Sequence, residues 1–578
     1  MKKTKPKTKD QIKHEKMIRC LLGNIGFSRI AGVENCHFTF HDREGELDDV
    51  FYYENIVLLV EYTTSDTPGD HLKNKIHLFS RINEKPLDFL KFVTKEPKLK
   101  KLSAGLSVIR NKYSIQEIQI KIVYASRQLL DEKYKKMCGY VSFLDYGIAK
   151  YFEIIAKSIK KSTRYEFFDF LEIDYRKIGD EIKKSSIDNS NTFSAEILPE
   201  TKSCCIEGIK IVTFYIDAIS LLKRAYVLRS DSWRNNENIT LFQRLLVPHK
   251  IKKMREYLVS EQRVFINNII VALSSEDVEL KDSEKKPMKI NDDGSIEGVS
   301  NAITPARISI PNKPNIIGIV DGQHRLFAYH EGMDCYEQKI STLRESHSLL
   351  VSGIIMPKEW NETDRIRFQS KLFLEINSNQ QSANAHLKQY IESILHHTSP
   401  TSISTNIIKK LNESGPLKNM FAISVFDEHK IKTASIISFA LNILIRPNNK
   451  DGLWGAWTSI KKDISLNDLK DANALSEYQS FCVENIRNFF IAMKANLPDC
   501  WEITTSKSTG ILNVTSINGM LNCIRFLAAN NKLEGVETYK RKLKHVSDFD
   551  FRKYKSSQYL KMGQALYDRY WNKAMLSD

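Results

Sequence analysis

The chain has 578 residues, 42% of them hydrophobic and 27% charged, a composition typical of globular proteins and not of disordered ones. Its net charge of +16 at pH 7 favours a polyanionic partner, DNA before a membrane surface. No apolar run approaches the ~18 residues needed to cross a bilayer, and the nine cysteines lack zinc-binding spacing. These features predict a cytoplasmic protein with reduced thiols.

The first predicted domain follows a basic N-terminal segment. Residues 1–20 contain eight Lys or Arg and two Asp or Glu, and this charge predicts a solvated tail. Residues 21–180 then alternate short apolar runs with amphipathic segments. Strands are predicted at 56–60 and 118–122, and a helix at 144–160.

The second predicted domain covers residues 205–395 and follows a linker at 183–203, which is rich in Ser, Asn, Lys and Glu. A charged loop is predicted at 274–297. The apolar runs alternate with helical patterns, as expected of a mixed α and β domain. Strands are predicted at 208–215, 265–273, 315–320 and 349–356, and helices at 248–257 and 362–375.

Two acidic residues flank a predicted β-hairpin in the first domain. Asp48 precedes a turn at 54–55, and Glu61 follows the apolar run 56–60. The hairpin would bring both carboxylates to one point, and such oxygen ligands suit Mg²⁺ in phosphodiester hydrolysis. The structural alternative is an acidic hairpin that binds no metal.

This arrangement resembles the core of the PD-(D/E)XK nucleases, with Asp48 and Glu61 at the acidic positions of that family. The resemblance implies an α/β nuclease-like domain over residues 21–180 and a Mg²⁺-dependent DNA endonuclease activity. It also implies that Glu34 belongs to the preceding helix, which often contributes a further acid.

One residue departs from the nuclease pattern. Thr63 stands where the family has a lysine that orients the attacking water and stabilises charge. Lys73 or Lys75, on the next predicted helix, would replace that lysine. If neither does, the domain is a degenerate nuclease fold that only binds DNA, and the protein is a non-catalytic transcriptional regulator.

A second candidate site is a strand-to-helix turn in the second domain. Asp321 follows the apolar strand 316–320 and would cap the next helix, while Gly322 permits a tight turn. Unpaired amides at a helix start attract anions, and Arg325 and His324 add side-chain donors. The sequence therefore predicts an oxyanion site, with a helix through residue 330. The structural alternative is a turn whose Arg pairs with a nearby carboxylate.

The five residues Asp321-Gly322-Gln323-His324-Arg325 resemble the signature of the DGQHR-domain proteins. That family is related to the ParB/sulfiredoxin-like fold and includes the regulator of bacterial DNA phosphorothioation (Dnd-type) systems. The resemblance implies a nucleotide, ATP or CTP, at this turn, and a setting in DNA modification or phage defence. The resemblance to this family also covers other segments of the domain. These are Gln243–Arg244, the predicted helix that contains Lys250 and Tyr257, the segment Asn267–Ile270, and the segment Phe373–Gln381.

Gln323 stands where sulfiredoxins have their nucleophilic cysteine, so a thiol reductase mechanism is excluded while phosphate binding is retained. Downstream, Asn377, Asn379, Gln380 and Gln381 place several amides in one loop. Amides suit adenine edges or phosphate oxygens. The structural alternative is a polar loop that ends a helix.

The sequence as a whole predicts an α+β multidomain protein with a mainly helical C-terminal region at 400–578. Basic and aromatic residues at 540–542 and 552–555 form either a nucleic-acid contact or a solvated helix face. Trp454 and Trp457 are predicted core residues. DNA is the expected partner, and a second copy of the chain or a defence-system protein is a further expected partner.

Overall fold

The computed structural model divides into two compact units, which meet in the chain between Gln369 and Ser370. Each unit has its own core, and the mixed α+β architecture with a helical C-terminal region is confirmed. The structure describes residues 7–34, 36–179, 191–203, 205, 208–227, 246–291, 296–299, 301–377, 389, 392, 396, 398–422, 427, 430–459, 472–504 and 510–572.

The N-terminal part of the first unit is built on a five-stranded sheet of order β1-β4-β5-β6-β7. Neighbouring strands are antiparallel from β1 to β5 and parallel from β5 to β7. The strands are β1 (Ser28–Ile30), β4 (Asp49–Tyr53), β5 (Ile56–Thr63), β6 (Gln119–Ser126) and β7 (Val141–Asp145), with a separate hairpin of β2 (Phe38–Phe40) and β3 (Arg43–Gly45).

Helices pack around this sheet because β5 is buried along its whole length, and its apolar run needs cover on both faces. The helices are α1 (Lys9–Asn24), α2 (Pro68–Glu84), α3 (Pro86–Lys95), α4 (Lys100–Arg110), α5 (Glu132–Met137), α6 (Tyr146–Ile159) and α7 (Arg164–Phe170). Along the chain, α1 precedes strands β1 to β5, and the parallel strands β6 and β7 follow after further helices.

The predicted solvated tail at 1–20 is wrong from residue 9 onward. Thr8 and Gln11 form a reciprocal capping box that starts α1, and one face of α1 is buried at Ile18 and Leu21. The charge pattern concealed this face, since the basic residues occupy the solvent side of an amphipathic helix. The helix therefore belongs to the domain.

The second part of the first unit is a nine-stranded sheet of order β10-β15-β11-β16-β9-β8-β14-β12-β13. Its strands are β8 (Thr192–Leu198), β9 (Lys210–Asp217), β10 (Ala225–Val227), β11 (Ile269–Ser274), β12 (Glu279–Lys281), β13 (Pro287–Met288), β14 (Thr304–Ser309), β15 (Ile317–Asp321) and β16 (Ser348–Met356). Its helices are α8 (Glu200–Ser203), α9 (Ala218–Arg224), α10 (Pro248–Glu261), α11 (Gln323–Phe327), α12 (Glu337–Ser346) and α13 (Glu362–Asn377), which crosses the division between the units.

Three sequence predictions in this part need correction. The predicted linker at 183–203 contains β8, which pairs with β9 and β14. The predicted charged loop at 274–297 contains β12 and β13, and β13 is the edge strand of the sheet. The predicted helix through residue 330 ends at Phe327.

The second unit is an assembly of helices around an aromatic and aliphatic core. Trp454 and Trp457 are buried against Tyr478, so both are core residues as predicted. Its helices are α14 (Pro400–Glu413), α15 (Ala434–Ile436), a π-helical turn (Ile437–Leu441), α16 (Asn442–Ile445), α17 (Leu453–Ala456), α18 (Ala472–Asn496), α19 (Val514–Ala529), α20 (Val536–Lys542) and α21 (Tyr559–Trp571).

Helices α19 and α21 approach each other closely through two glycines. A β-carbon on Gly563 would lie 2.6 Å from Cβ of Asn522 and 2.8 Å from the carbonyl oxygen of Gly519. Only glycine fits this crossing without moving a backbone.

Across the described part of the chain, no helix has the length and apolar character needed to cross a membrane.

Candidate functional site

The β4–β5 hairpin places Asp48 beside Glu61. Asp49 pairs with Val60 across the antiparallel strands, so Asp48 stands opposite Glu61 in the same register. Alternation along a strand then puts these two side chains on one face and Asp49 on the other. Asp48 Oδ2 accepts a hydrogen bond of 2.9 Å from the backbone N–H of Tyr62, which fixes its carboxylate at the end of the hairpin.

Glu61 is an unusual carboxylate because it is almost completely buried, with 2% of its surface exposed. Burial, together with the neighbouring charge of Asp48, raises the pKa of Glu61 to about 8. Burial also raises the pKa of Asp48, although the hydrogen bond from Tyr62 opposes this. Glu61 Oε2 is buried and has no hydrogen-bond partner among the described residues.

Lys75 on α2 supplies the positive charge at this site. Its Nζ lies 2.8 Å from Glu61 Oε1 and 3.8 Å from Glu46 Oε1. Burial lowers the pKa of Lys75, but the negative charges of Glu61, Asp48 and Glu46 raise it by more. The pKa of Lys75 is therefore raised, and its side chain remains an ammonium. Lys75 is therefore the lysine that the structure places beside the carboxylates of the hairpin.

The two candidate lysines separate clearly in the structure. Lys73 Nζ pairs with Asp70 at 3.0 Å and lies 5.3 Å from the ring centre of Tyr134, on the exposed side of α2. Lys73 therefore does not reach the carboxylates. Residues two apart on a helix point in different directions, which explains why one lysine enters the site and the other does not.

Sequence reasoning missed two members of the site, His71 and Glu46. His71 precedes Lys75 by four residues, so both lie on the same face of α2. Its Nε2 lies 3.8 Å from Glu61 Oε1, and its Nδ1 lies 2.9 Å from the hydroxyl of Tyr124. Burial lowers the pKa of His71, and the charge of Lys75 lowers it further. The spacing of four residues was the signal available in the sequence.

Glu34 is not part of the preceding helix, and that prediction is wrong. It lies in a turn after β1, where its carboxylate accepts a hydrogen bond from Arg29. On the preceding helix α1, Glu15 pairs with Lys7 at 2.6 Å and with Arg19 at 3.3 Å. The helix bounds were misjudged because residues 9–20 were assigned to a tail.

Asp49 forms a separate charged group on the opposite face of the sheet. It is fully buried and pairs with Arg19 at 2.6 Å and with Arg29 at 2.5 Å. The hydroxyl of Tyr62 donates a third hydrogen bond of 3.0 Å to the same carboxylate. A buried carboxylate with this many donors is a structural group that links α1 and β1 to β4.

The donor set at the hairpin suits a hard cation. Asp48 and Glu61 offer carboxylate oxygens, and the unpartnered Oε2 of the buried Glu61 is a free acceptor of the kind Mg²⁺ takes. Within the described ranges, however, no three His, Cys, Asp or Glu side chains lie together as a ready-made metal cluster. Asp48 and Glu61 are therefore the two residues that would hold such an ion.

The predicted oxyanion turn begins at Gly322. This glycine has a φ of +92° and is the N-cap of the five-residue helix α11. A β-carbon there would lie 3.0 Å from Arg325 Nη2 and 3.1 Å from Ile269 Cγ1. The turn therefore requires glycine both for its left-handed backbone and for space.

Asp321 does not cap this helix, contrary to the sequence prediction. It is the last residue of β15, and its carboxylate pairs with Arg325 at 3.0 Å. Arg325 Nη2 also donates a hydrogen bond of 2.8 Å to the carbonyl oxygen of Asn268. Arg325 thus joins three segments of the domain. This is the structural alternative stated for this turn, in which the Arg pairs with a nearby carboxylate.

His324 is also engaged within the protein. Its Nε2 accepts a hydrogen bond of 3.1 Å from the backbone N–H of Val247, the N-cap residue of α10. An imidazole that accepts at Nε2 carries its proton at Nδ1 when neutral. His324 therefore satisfies an amide at the start of α10.

A buried arginine holds the segment that follows the turn. Arg255 on α10 is 1% exposed and donates hydrogen bonds to the carbonyl oxygens of Ala328 and His330. It also pairs with Asp334 at 2.9 Å and with Glu337 at 3.0 Å. These contacts join α10 to the segment that follows the turn.

Several predicted ligand residues lie outside the described residues. Asn377 is the last residue of α13, but its side chain is not described. Asn379, Gln380 and Gln381 lie outside the described ranges. The pair Gln243–Arg244 also lies outside them. Gln323 is the first residue of α11.

The C-terminal basic residues lie on the surface. Lys540 pairs with Glu537 at 2.8 Å, and Lys542 pairs with Glu534 at 2.6 Å. Tyr554 stacks on Phe549 with ring centres 5.8 Å apart. These pairings describe a solvated helix face with local partners.

Comparison with known family models, curated proteins and solved structures gives no match for this chain.

Proposed function

We propose that this protein is a DNA-associated phosphodiesterase of a prokaryotic DNA-modification or phage-defence system, with its active site at Asp48, Glu61 and Lys75. The observation that carries the proposal is the position of Lys75. Its ammonium lies 2.8 Å from the buried Glu61 carboxylate, beside Asp48, at the end of a hairpin whose strand order suits a nuclease core.

Each residue has a distinct task in this proposal. Asp48 and Glu61 would hold Mg²⁺, which when bound polarises a phosphoryl oxygen and lowers the pKa of a coordinated water. Lys75 orients Glu61 through their ion pair and presents a positive charge where negative charge grows during phosphodiester cleavage. The net charge of +16 favours binding of the DNA backbone.

The DGQHR turn has a supporting part in the proposal. Its resemblance supports a nucleotide or DNA phosphate there, with ATP or CTP as the ligand. The pairing of Arg325 with Asp321 and of His324 with Val247 means that both side chains must exchange an internal partner to bind phosphate. We therefore assign nuclease chemistry to the hairpin and only a binding role to this turn.

A second candidate function is that of a non-catalytic DNA-binding regulator. It is favoured by the ion pair itself, because Lys75 neutralises Glu61 and removes part of the charge that would attract a metal. In this alternative the group of carboxylates and lysine is a buried structural ion pair.

Plasmid cleavage tests the proposal and separates it from the alternative. We would incubate wild type with supercoiled plasmid and Mg²⁺ or Mn²⁺, with and without ATP or CTP. Cleavage should be lost in Asp48→Asn, Glu61→Gln and Lys75→Met, and retained in Lys73→Met, the matched control on the exposed side of α2. DNA affinity, measured by mobility shift, should remain similar in all variants.

The regulator is the correct assignment if wild type leaves the plasmid intact under every condition while it still binds DNA. Cleavage that persists in both Asp48→Asn and Glu61→Gln would place the chemistry at another site.

A further inference from the structure

Exposed lysines are concentrated where helix α3 leads into helix α4. Residues 85–101 contain six lysines and two acids. One acid, Glu96, accepts a hydrogen bond of 3.2 Å from the backbone N–H of Lys98, and the other, Asp88, lies in the first turn of α3. Five of the lysines form what we call the lysine cluster, and all five are exposed: Lys91, Lys95, Lys98, Lys100 and Lys101.

The lysine cluster has no carboxylate partner. Among the described residues, none of its five side chains forms an ion pair. Several exposed lysines elsewhere around the same sheet do form one, and these pairs are Lys112 with Glu54, Lys133 with Asp131, and Lys157 with Glu153. The charge of the cluster is therefore not neutralised by any described acid.

Helix stability does not account for the lysines at the start of α4. Lys100 and Lys101 are the first two residues of this helix, and its first turn contains no acid. The positive end of the helix dipole lies there, and ammonium groups are unfavourable beside it. The N-cap residue Leu99 makes no side-chain hydrogen bond to the first amides. An anion bound at the cluster would relieve the repulsion among these charges.

Packing joins the cluster to the five-stranded sheet. A β-carbon on Gly32 would lie 2.5 Å from Cδ of Lys101, so the Lys101 side chain crosses the turn that follows β1. A β-carbon on Gly105 would lie 2.5 Å from Cγ2 of Ile30, so α4 packs directly against β1. The position of the cluster is thus fixed relative to the strands.

The register of the sheet relates the cluster to the candidate site. Ile30 of β1 stands opposite Val50 of β4, and the same register carried two residues further brings Gly32 level with Asp48. Asp48 is in turn level with Glu61 on the next strand. Neighbouring strands lie about 4.8 Å apart, so two strand spacings, about 10 Å, separate the backbone at Gly32 from that at Glu61. The cluster therefore begins at the end of the sheet that carries the two carboxylates.

We propose that the lysine cluster binds the sugar-phosphate backbone of duplex DNA next to the hairpin site. This inference rests on the proposed function. Lysine ammonium groups neutralise phosphates as point charges and do not read bases. The neighbouring aromatic residues Phe89 and Phe92 pack against Phe38 and Phe40, so their rings belong to the core of the domain. The cluster is therefore a contact for phosphates and is independent of base sequence.

A triple variant of the cluster and a matched control test the inference. The cluster variant combines Lys98→Gln, Lys100→Gln and Lys101→Gln. The control combines Lys112→Gln, Lys133→Gln and Lys157→Gln, which removes the same number of charges from exposed lysines that have a carboxylate partner. Affinity for a fluorescein-labelled duplex is measured by anisotropy in EDTA, so that binding is read without any cleavage.

The salt dependence of binding gives the expected result. From about 50 to 200 mM salt, the slope of log affinity against log salt should become less steep by about 3 in the cluster variant, one for each lost phosphate contact. Its affinity at low salt should fall about tenfold or more. The control should stay within about twofold of wild type, with an unchanged slope.

Thermal melting shows whether the cluster has a structural role instead. The cluster variant should melt at the wild-type temperature or above it, because it removes ammonium groups from the start of α4. If it melts lower, a second variant decides the question. Lys91→Gln combined with Lys95→Gln, on the exposed face of α3, should lower the salt slope by about 2.

The outcomes separate this inference from the proposed function. Wild-type affinity and slope in both cluster variants would overturn the inference and leave the cleavage proposal standing. Loss of DNA affinity in these variants, with a wild type that never cleaves, would refute the phosphodiesterase and leave the inference standing. If the variants instead lose sedimentation with vesicles of phosphatidylcholine and phosphatidylserine but keep their DNA affinity, the cluster binds a membrane surface and the inference is overturned. A wild type that does not bind duplex DNA would refute both.

Discussion

Glu61→Gln should change how the stability of the first unit depends on pH. The ordinary pKa of a glutamic acid is 4.5, and the pKa of Glu61 in the folded protein is raised to about 8. Between these values the folded state binds a proton that the unfolded state has released. Stability conferred by that proton is complete below pH 4.5 and is lost as the pH rises toward 8.

The magnitude follows from the same two pKa values. Within this window each pH unit lowers the free energy of unfolding by about 1.4 kcal/mol, so the step from pH 5.5 to 7.5 costs about 3 kcal/mol. Glutamine resembles the protonated acid and does not titrate. The difference in unfolding free energy between Glu61→Gln and wild type should therefore grow in favour of the variant as the pH rises.

Urea unfolding at pH 5.5, 6.5 and 7.5, followed by circular dichroism, measures this difference. Glu84→Gln is the control, because Glu84 is exposed at the end of α2 and its neighbours Ser80 and Arg81 lower its pKa below 4.5. That variant should keep a constant difference from wild type across the range. Parallel pH profiles for Glu61→Gln and wild type would refute the argument that Glu61 is buried as an acid.

The remaining predictions test other parts of the molecule. Gly563→Ala should destabilise the second unit by about 1–3 kcal/mol, measured by urea unfolding, because its β-carbon would collide with Asn522 and with backbone atoms. Arg325→Ala should cost about 1–2 kcal/mol of stability through loss of its bond to Asp321, and calorimetry with ATP and CTP will show whether binding falls with it. DNA affinity should fall steeply between 50 and 200 mM salt in mobility shifts, as expected when several phosphates are neutralised.

Much of the fold was predictable because it depends on local patterns. The apolar run that became β5, the buried strand β15 and the amphipathic helices of the second unit all follow from the period of their hydrophobic residues. Helix α1 was missed since its charged face dominates the composition of residues 9–20. Strand β8 was missed because it lies in a segment whose polar residues resemble a linker.

The candidate sites were predictable in identity but not in geometry. The hairpin register could be inferred from the turn at 54–55, so the pairing of Asp48 with Glu61 followed from sequence. The choice between Lys73 and Lys75 could not be predicted from the sequence, because it depends on the rotation of α2 against the sheet. At the DGQHR turn, the partners of Arg325 and His324 come from distant segments, which no local pattern reveals.

A buried structural ion pair and a catalytic lysine make different demands on this hairpin. Burial of an ion pair costs desolvation energy, and 16% of the Lys75 side chain remains exposed beside the partly exposed His71. Burying Glu61 with a raised pKa costs stability at neutral pH, and an unpartnered Oε2 adds to that cost. Perturbed carboxylates are concentrated at functional sites, and both costs at one hairpin therefore support the proposal that chemistry takes place there.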